Sequence, residues 1–474
     1  MNKILNNFYF SVFIISIFIS ILLYASSLNY YFFQDDFFEI NISQAKNLSE
    51  YLNFFKFRDD IIAYRPISLQ NYFFISSKLF HLNATGYRLI TFILFLASGF
   101  LIAKVIAKIT DSRTGLLTAS LWLTSAIHFM SLSWIAAAYN IIGTFFFLLT
   151  SLFFLNFLKT KNSIFYFLSF IFYLFTVGSF EFSITWPAIF GFYYFYVLQK
   201  PLAKSIKIFS PFIFLSSVYL ILRLLLIKIP QIIEYQTALN VESVKALFWY
   251  FFWTFNIPEE FKKQIVNNLV VFNPKFSLEY WPLIAKTFWG AVSVLIVGLI
   301  LPFFLITKQK LNIDLRITIF SFVWFIVGIF PVLLLPNHTF SMYLTLAAIG
   351  LYLSVAYFIV RAQKKLLVTA VFLIWIYTSS TTLSFYKINS WMIEAQKFAR
   401  GFSISVKKQY PFLPPGSVIY FPHQDHRHRQ ALLDYHATRT LYSDQTLSIY
   451  YNKESLVDSL EAGENRPVYV YLPE

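Results

Sequence analysis

Stretches of about twenty apolar residues recur along this chain, beginning with FYFSVFIISIFISILLYASSL at 8–28. A helix needs roughly 20 residues to cross the hydrocarbon core of a bilayer, and backbone in lipid must satisfy its own hydrogen bonds. These runs dictate an all-α polytopic membrane protein. About 11 transmembrane helices are expected, near 8–28, 87–107, 115–133, 136–158, 164–180, 183–198, 208–228, 284–306, 316–335, 340–360 and 366–385. Composition agrees: 58% of residues are hydrophobic and only 13% charged, against roughly 25% charged in soluble domains. Residues 8–28 are too long and too aromatic for a cleaved signal peptide and read as a retained first helix. The 59 Phe and 31 Tyr accompany many Ile, Asn and Lys, a general skew, so no single aromatic carries weight by itself.

The net charge of +15 does not mark a nucleic-acid binder. Lys3, Lys108 with Arg113, Lys159 with Lys161, Lys200 with Lys204 and Lys207, Lys308 with Lys310, and Arg361 with Lys364 and Lys365 occupy alternate short loops. Loops of that kind face the cytoplasm. The expected protein is integral to a bacterial cell membrane, its N terminus cytoplasmic and its C terminus extracytoplasmic. Everything large then lies outside: residues 29–86, residues 229–283, the loop "LPNHTF" and the tail. Two outer pieces, "ISLQNYFFISSKLF" (67–80) and "SVKALFWYFFWTF" (243–255), have the aromatic content of helices lying in the membrane interface.

The expected division is a membrane-embedded part, 1–385, and a small extracytoplasmic α/β appendage, 386–474. In that tail "YPFLPPGSVIYFP", "TLSIYYN" and "PVYVYLP" read as strands and "RQALLDYHATRTL" as a helix. Cysteine is absent, so disulfides and thiolate metal sites play no part. His423, Asp425, His426, His428 and His436 of the tail match no defined zinc spacing and read as a solvated basic loop. The sequons at Asn41, Asn47, Asn83 and Asn337 read as accidents of an Asn-rich composition.

Ionisable residues at a membrane boundary are expensive and are site candidates for that reason. The expected topology gathers Asp35, Asp36, Glu39, Arg65, His128, Glu181, Arg223 and His338 at one outer boundary. Arginine grips phosphate through its planar fork, and a carboxylate accepts a proton from an attacking hydroxyl. Plainer readings stand beside these: the aspartate pair as a helix cap, Arg223 as a snorkelling residue, and Glu181 and His128 as hairpin residues.

An acidic pair in the first outer loop followed by "YRPISLQNYFF" resembles the polytopic GT-C glycosyltransferases. These include the protein O-mannosyltransferases, the aminoarabinose transferases, and the bacterial relatives of the transmembrane tetratricopeptide O-mannosyltransferases. Asp35-Asp36 matches their Asp-Asp motif, and Tyr64-Arg65-Pro66-Ile67 their Tyr-Arg-Pro-Leu motif. His128 and Trp134-Ile135 keep half of a "His-Pro-x-His … Trp-Ile" turn, with Ser125 and Ala126 replacing its first His and Pro. Phe180-Glu181 and Pro187 match a "Lys-Glu … Pro" signature without its Lys. "MYLTLAAIG" keeps Tyr343, Leu344 and Gly350 of an Arg-Tyr-Leu segment but has Met342 for the Arg. The likeness runs from about residue 8 to 360, and the tail has no tetratricopeptide repeats.

The resemblance implies a polyprenyl-phosphate sugar donor, an acceptor hydroxyl on the outer face, inversion of the sugar, and Asp35 as general base. Asp36 helps the base. Arg65, Arg223 and His338 meet the departing phosphate, with His128, Glu181, Glu39 and Tyr64 as further substrate contacts. Asp36 and Glu39 could instead hold a divalent metal, the one cofactor left open. The acceptor, whether protein, lipid or polysaccharide, is not indicated. A transporter of lipid-linked sugars and a glycan polymerase of another fold remain as alternatives.

Overall fold

The computed structural model describes residues 2–58, 61–228, 230–266, 271–422, 426–461 and 466–471. Among them, eight helices are long and apolar enough to cross a membrane: Asn6–Asn29, Ala84–Ile109, Ile135–Thr160, Leu202–Leu226, Pro274–Lys308, Leu315–Leu333, Ser341–Arg361 and Lys365–Asn389. A ninth is broken, Ser112–Leu123 and Ala126–Ser133 meeting at 51°. The chain is an all-α polytopic membrane protein. Two of the eleven expected spans are shorter than a full crossing: Ser163–Val177 is a 15-residue helix, and the segment near 183–198 is a 3-10 turn, a short helix and a π turn. Pro187 at the helix start, after the buried Glu181, shortens that segment.

Polar residues set the helix ends. Asn83, Asp111, Asn162, Asn240, Asn273 and Asp314 each accept backbone N–H bonds from the first turn of the following helix, as N-caps do. At one end of the bundle the basic loops meet: Arg113 donates to Asn6 (2.8 Å), and Arg361 approaches Asp111 (3.6 Å). The acidic pair lies at the other end.

Helix Ser341–Arg361 is buried along its length except at Arg361, its last residue. Its small residues, Ala347, Ala348, Gly350, Ser354 and Ala356, let neighbours approach. A Cβ on Gly350 would stand 2.3 Å from the Ser321 carbonyl oxygen, so this crossing admits only glycine. The break at 123–126 frees carbonyl groups that side chains then satisfy. Trp375 donates its indole N–H to Leu121 O (3.0 Å), and His128 Nε2 donates to Trp122 O (2.8 Å).

Residues 67–80 are helical, as π segment Pro66–Asn71 and helix Tyr72–Phe80, and Val241–Thr254 is a helix with an Asn240 capping box. Beyond Asn389 an amphipathic helix, Trp391–Gln409, leads to three parallel strands: Val418–Tyr420 in the centre, Ser448–Tyr450 and Val468–Val470 beside it. The expected single helix over 429–441 is two, His426–Leu432 and His436–Tyr442. Leu433 and Asp434 have positive φ (46° and 51°) at the corner, a conformation that ends a right-handed helix.

Candidate active site

The first long helix ends at the bundle surface, and the chain runs extended through Tyr30–Phe33 before helix Asp35–Ile42. Between them Gln34 takes φ 50°, ψ −126°, a strained setting for a residue with a Cβ. Its N–H donates to Ala431 O of the tail (2.8 Å). The turn that delivers the aspartates is therefore held from outside the membrane part.

The two aspartates have different surroundings. Asp36 is 0% exposed. Its Oδ2 accepts the Phe33 N–H (3.2 Å) and its Oδ1 the Ala136 N–H (2.7 Å), which ties the loop to the start of the Ile135–Thr160 span. Burial pushes its carboxyl up to about 7, against the pull of Arg88. Asp35 is partly open, and its carboxylate has no hydrogen bond among the described residues. Burial raises it to about 6, with the Arg65 charge opposing. Glu39, one turn on, is buried, and its Oε2 has no partner among the described residues. Burial, reinforced by the charge of Asp35, pushes it to about 8.

Arg65, from "YRP", links this acidic side to a second group. Its Nε donates to Glu181 Oε2 (2.8 Å), and Arg223 Nη1 donates to the other oxygen, Oε1 (3.3 Å). Burial works against ionising Glu181, yet Arg65 and then Arg223 hold its carboxyl below the usual range. One carboxylate thus fixes two guanidinium groups. The Arg65 guanidinium also lies 3.5 Å from the centre of the Tyr139 ring, a cation–π contact. Glu181 thus pairs Arg65 with Arg223, and the Arg65 charge reaches Asp35.

His338 stands beside this group, its ring 4.9 Å from both Tyr235 and Phe340. Burial, with Arg65 second, lowers it to about 4, so it is neutral at pH 7 and can offer a phosphate a hydrogen bond but no charge. Tyr64 turns from the carboxylates: its hydroxyl donates to Phe55 O (2.9 Å), and its ring stacks on Phe57 at 4.1 Å. His128 does not join the site. Its ring packs on Trp122 and Phe95 (4.3 and 5.1 Å), repairing the helix break.

Sequence reasoning missed Arg88. From the Ala84–Ile109 helix it donates to the carbonyls of Tyr30 (3.2 Å), Tyr31 (3.0 Å), Leu132 (3.5 Å) and Ser133, stapling the same two loops that Asp36 joins. The signal was present: an arginine at a span's end, directly after the expected outer loop. Tyr139, whose ring carries the Arg65 guanidinium, was also missed, and nothing separates it from the aromatic background in sequence.

Each oxygen of Asp36 accepts a backbone amide, from Phe33 and from Ala136. Among the described residues no group of three His, Asp or Glu is placed to hold an ion. In the tail, His423 and Asp425 lie outside the described residues, His428 stacks on Phe398 (3.9 Å), and His436 faces Asn41. The sequon asparagines have structural partners: Asn47 and Asn83 cap helices, and Asn337 donates to Ile233 O (3.2 Å). Asn41 donates to His436 O (3.0 Å) and accepts from Thr440 (3.0 Å) and Gln445 (2.9 Å). With Gln34, it docks the tail against both ends of the aspartate helix.

No protein-family model matches the chain, and no curated protein matches it. In structure it is similar to the Archaeoglobus fulgidus oligosaccharyltransferase in its apo form, with TM-score 0.49 and 13% identity over 94% of this chain. The chain spans 65% of that protein's length. It is also similar to ArnT from Cupriavidus metallidurans bound to undecaprenyl phosphate, with TM-score 0.48 and 12% identity over 96% of this chain and 89% of that one. A third similar structure is the archaeal oligosaccharyltransferase AglB in complex with an inhibitory peptide and a dolichol-phosphate, with TM-score 0.45 and 12% identity over 91% of this chain and 63% of that one.

Proposed function

We propose that this protein transfers a sugar from a polyprenyl-phosphate donor to an acceptor hydroxyl at the extracytoplasmic face of a bacterial membrane, with inversion. The observation that carries the reading is Arg65: it feels the charge of Asp35 on one side and is bonded to the Glu181–Arg223 pair on the other. A base and a cationic phosphate receptor therefore adjoin at one end of an apolar bundle, where a lipid tail has hydrocarbon beside it.

In this reading Asp35 takes the proton of the acceptor hydroxyl as its oxygen bonds to the anomeric carbon. The bond from that carbon to the phosphate oxygen breaks with its electrons, and polyprenyl phosphate leaves. Arg65 and Arg223 meet the charge that develops on the phosphate. Their fixed geometry, set by Glu181, means little reorganisation accompanies the reaction. Asp36 and Arg88 do not touch substrate; they hold the turn that aims Asp35. Residues 1–385 form the catalytic part and 386–474 an outer domain braced against it, with the N terminus cytoplasmic.

The test is transfer in proteoliposomes from a panel of polyprenyl-phosphate sugars. Asp35→Asn should abolish product while donor binding persists. Full activity in that variant removes the base. Donor crossing the bilayer with no sugar transferred would favour the transporter reading.

A further inference from the structure

A cavity of about 160 Å3 lies apart from the acidic pair, between the 256–264 loop and the start of the tail helix. Its wall includes Glu259, Glu260, Lys263, Tyr386, Asn389 and Trp391. At roughly 30 Å3 per water, it holds several waters or a small polar ring.

The polar groups here are incompletely used. Glu259 Oε2 accepts the Ser341 N–H (2.7 Å), and the Glu259 N–H donates to Tyr386 Oη (2.7 Å), leaving the Tyr386 hydroxyl hydrogen to donate elsewhere. Glu260 Oε2 is shut off from solvent and has no partner among the described residues. Lys262, two positions on, donates to Thr339 Oγ1 (2.5 Å).

Aromatic faces supply the rest of the wall. Phe129 packs on Tyr386 at 5.1 Å, and Trp391 is fixed edge-on by Phe33 (5.9 Å) and Trp134 (5.6 Å). Through Phe33, whose N–H is held by Asp36, the cavity is one ring layer from the acidic turn.

Charge selects the ligand class. The wall is of mixed sign, with Glu259 and Glu260 beside Lys263, and burial raises both carboxyl groups, Glu260 to about 8. A bare ion of either sign therefore meets opposing groups. Carboxyl groups, the Asn389 amide and flat rings in one wall suit an uncharged ring bearing several hydroxyls.

We propose that this cavity binds an uncharged sugar ring and that, given the transfer proposed above, the ring belongs to the acceptor. The acceptor is then a glycan rather than a bare protein hydroxyl.

Saturation-transfer NMR on the full-length protein in detergent tests this, using methyl glycosides of glucose, galactose, mannose and N-acetylglucosamine as probes. At least one should give signal, reduced about fivefold or more by Glu260→Leu and by Trp391→Ala and unchanged by Asp35→Asn. A melting temperature of Glu260→Leu no lower than that of the parent protein keeps loss of fold from mimicking loss of binding. No signal with any probe, or equal signal in Glu260→Leu, overturns the site. Transfer that survives Asp35→Asn while the Glu260-dependent signal persists overturns the catalytic reading and with it the acceptor assignment, leaving a sugar site. Transfer onto glycosides that is unaffected by Glu260→Leu overturns the acceptor assignment alone.

Discussion

Replacing each aspartate of the pair by asparagine should produce two different failures. Asp36 accepts two backbone N–H groups, from Phe33 at 3.2 Å and Ala136 at 2.7 Å, and is 0% exposed. Asparagine keeps one acceptor oxygen; its NH2 group must face the other N–H. Hydrogen bonds to a charged group are worth about 1.5–3 kcal/mol, and Arg88 also loses its carboxylate neighbour. Relief of a buried charge offsets part of this, so Asp36→Asn should destabilise the protein by about 2–3 kcal/mol. Asp35 has no hydrogen bond to lose among the described residues, and burial disfavours its ionised form, so Asp35→Asn should leave the protein as stable as before or more stable. Activity should rank the other way: losing a general base costs about 100- to 10,000-fold, whereas folded Asp36→Asn keeps its base. The assay pairs denaturant unfolding in detergent with single-turnover transfer. Equal destabilisation in both variants, or near-normal transfer by Asp35→Asn, would refute the division of labour.

Glu181→Gln leaves Arg65 and Arg223, 14% and 23% exposed, without their shared carboxylate. Breaking a buried pair costs about 3–5 kcal/mol, read by unfolding, and donor KM should rise more than kcat falls. Asp35 must be ionised to act, so transfer should increase as pH rises through about 6, measured as a pH–rate profile that Asp35→Asn abolishes. Glu39 has a folded-state value of about 8, above its ordinary 4.5. The stability from keeping it protonated is full below about pH 4.5 and lost as pH rises through about 8; unfolding midpoints should fall across that window, and Glu39→Gln should flatten the fall. Asn41→Ala removes the tail's hold on the C-terminal end of the aspartate helix. It should lower kcat about tenfold with donor KM unchanged and shift the pH–rate midpoint, an effect that general destabilisation would not produce.

Much of the architecture was legible because hydrocarbon imposes a single rule on every span. Runs of twenty apolar residues, Asn and Asp at helix starts, and Lys and Arg in alternate loops sufficed to locate nearly every long helix. The exceptions are where local chemistry intervenes: Pro187 shortens one segment, and the 123–126 break bends another. His128 shows the limit for the site. Its residue type and motif position pointed to substrate, but its ring is the partner of a carbonyl freed by the bend, a need that exists only once the helix breaks.

From the sequence alone came the membrane class, the acidic pair, and the arginines of "YRP" and the Leu202–Leu226 span as candidates. Tertiary structure decided how they divide the work. Asp35 and Asp36 are chemically identical neighbours in sequence, yet helix geometry turns them toward different surroundings, one to Arg65 and one to two backbone amides. Glu181 joins arginines 158 positions apart, at 65 and 223. The tail reaches back some 400 residues to Gln34 and Asn41. Such pairings depend on which surfaces meet when apolar helices pack, and no local pattern of residues encodes that.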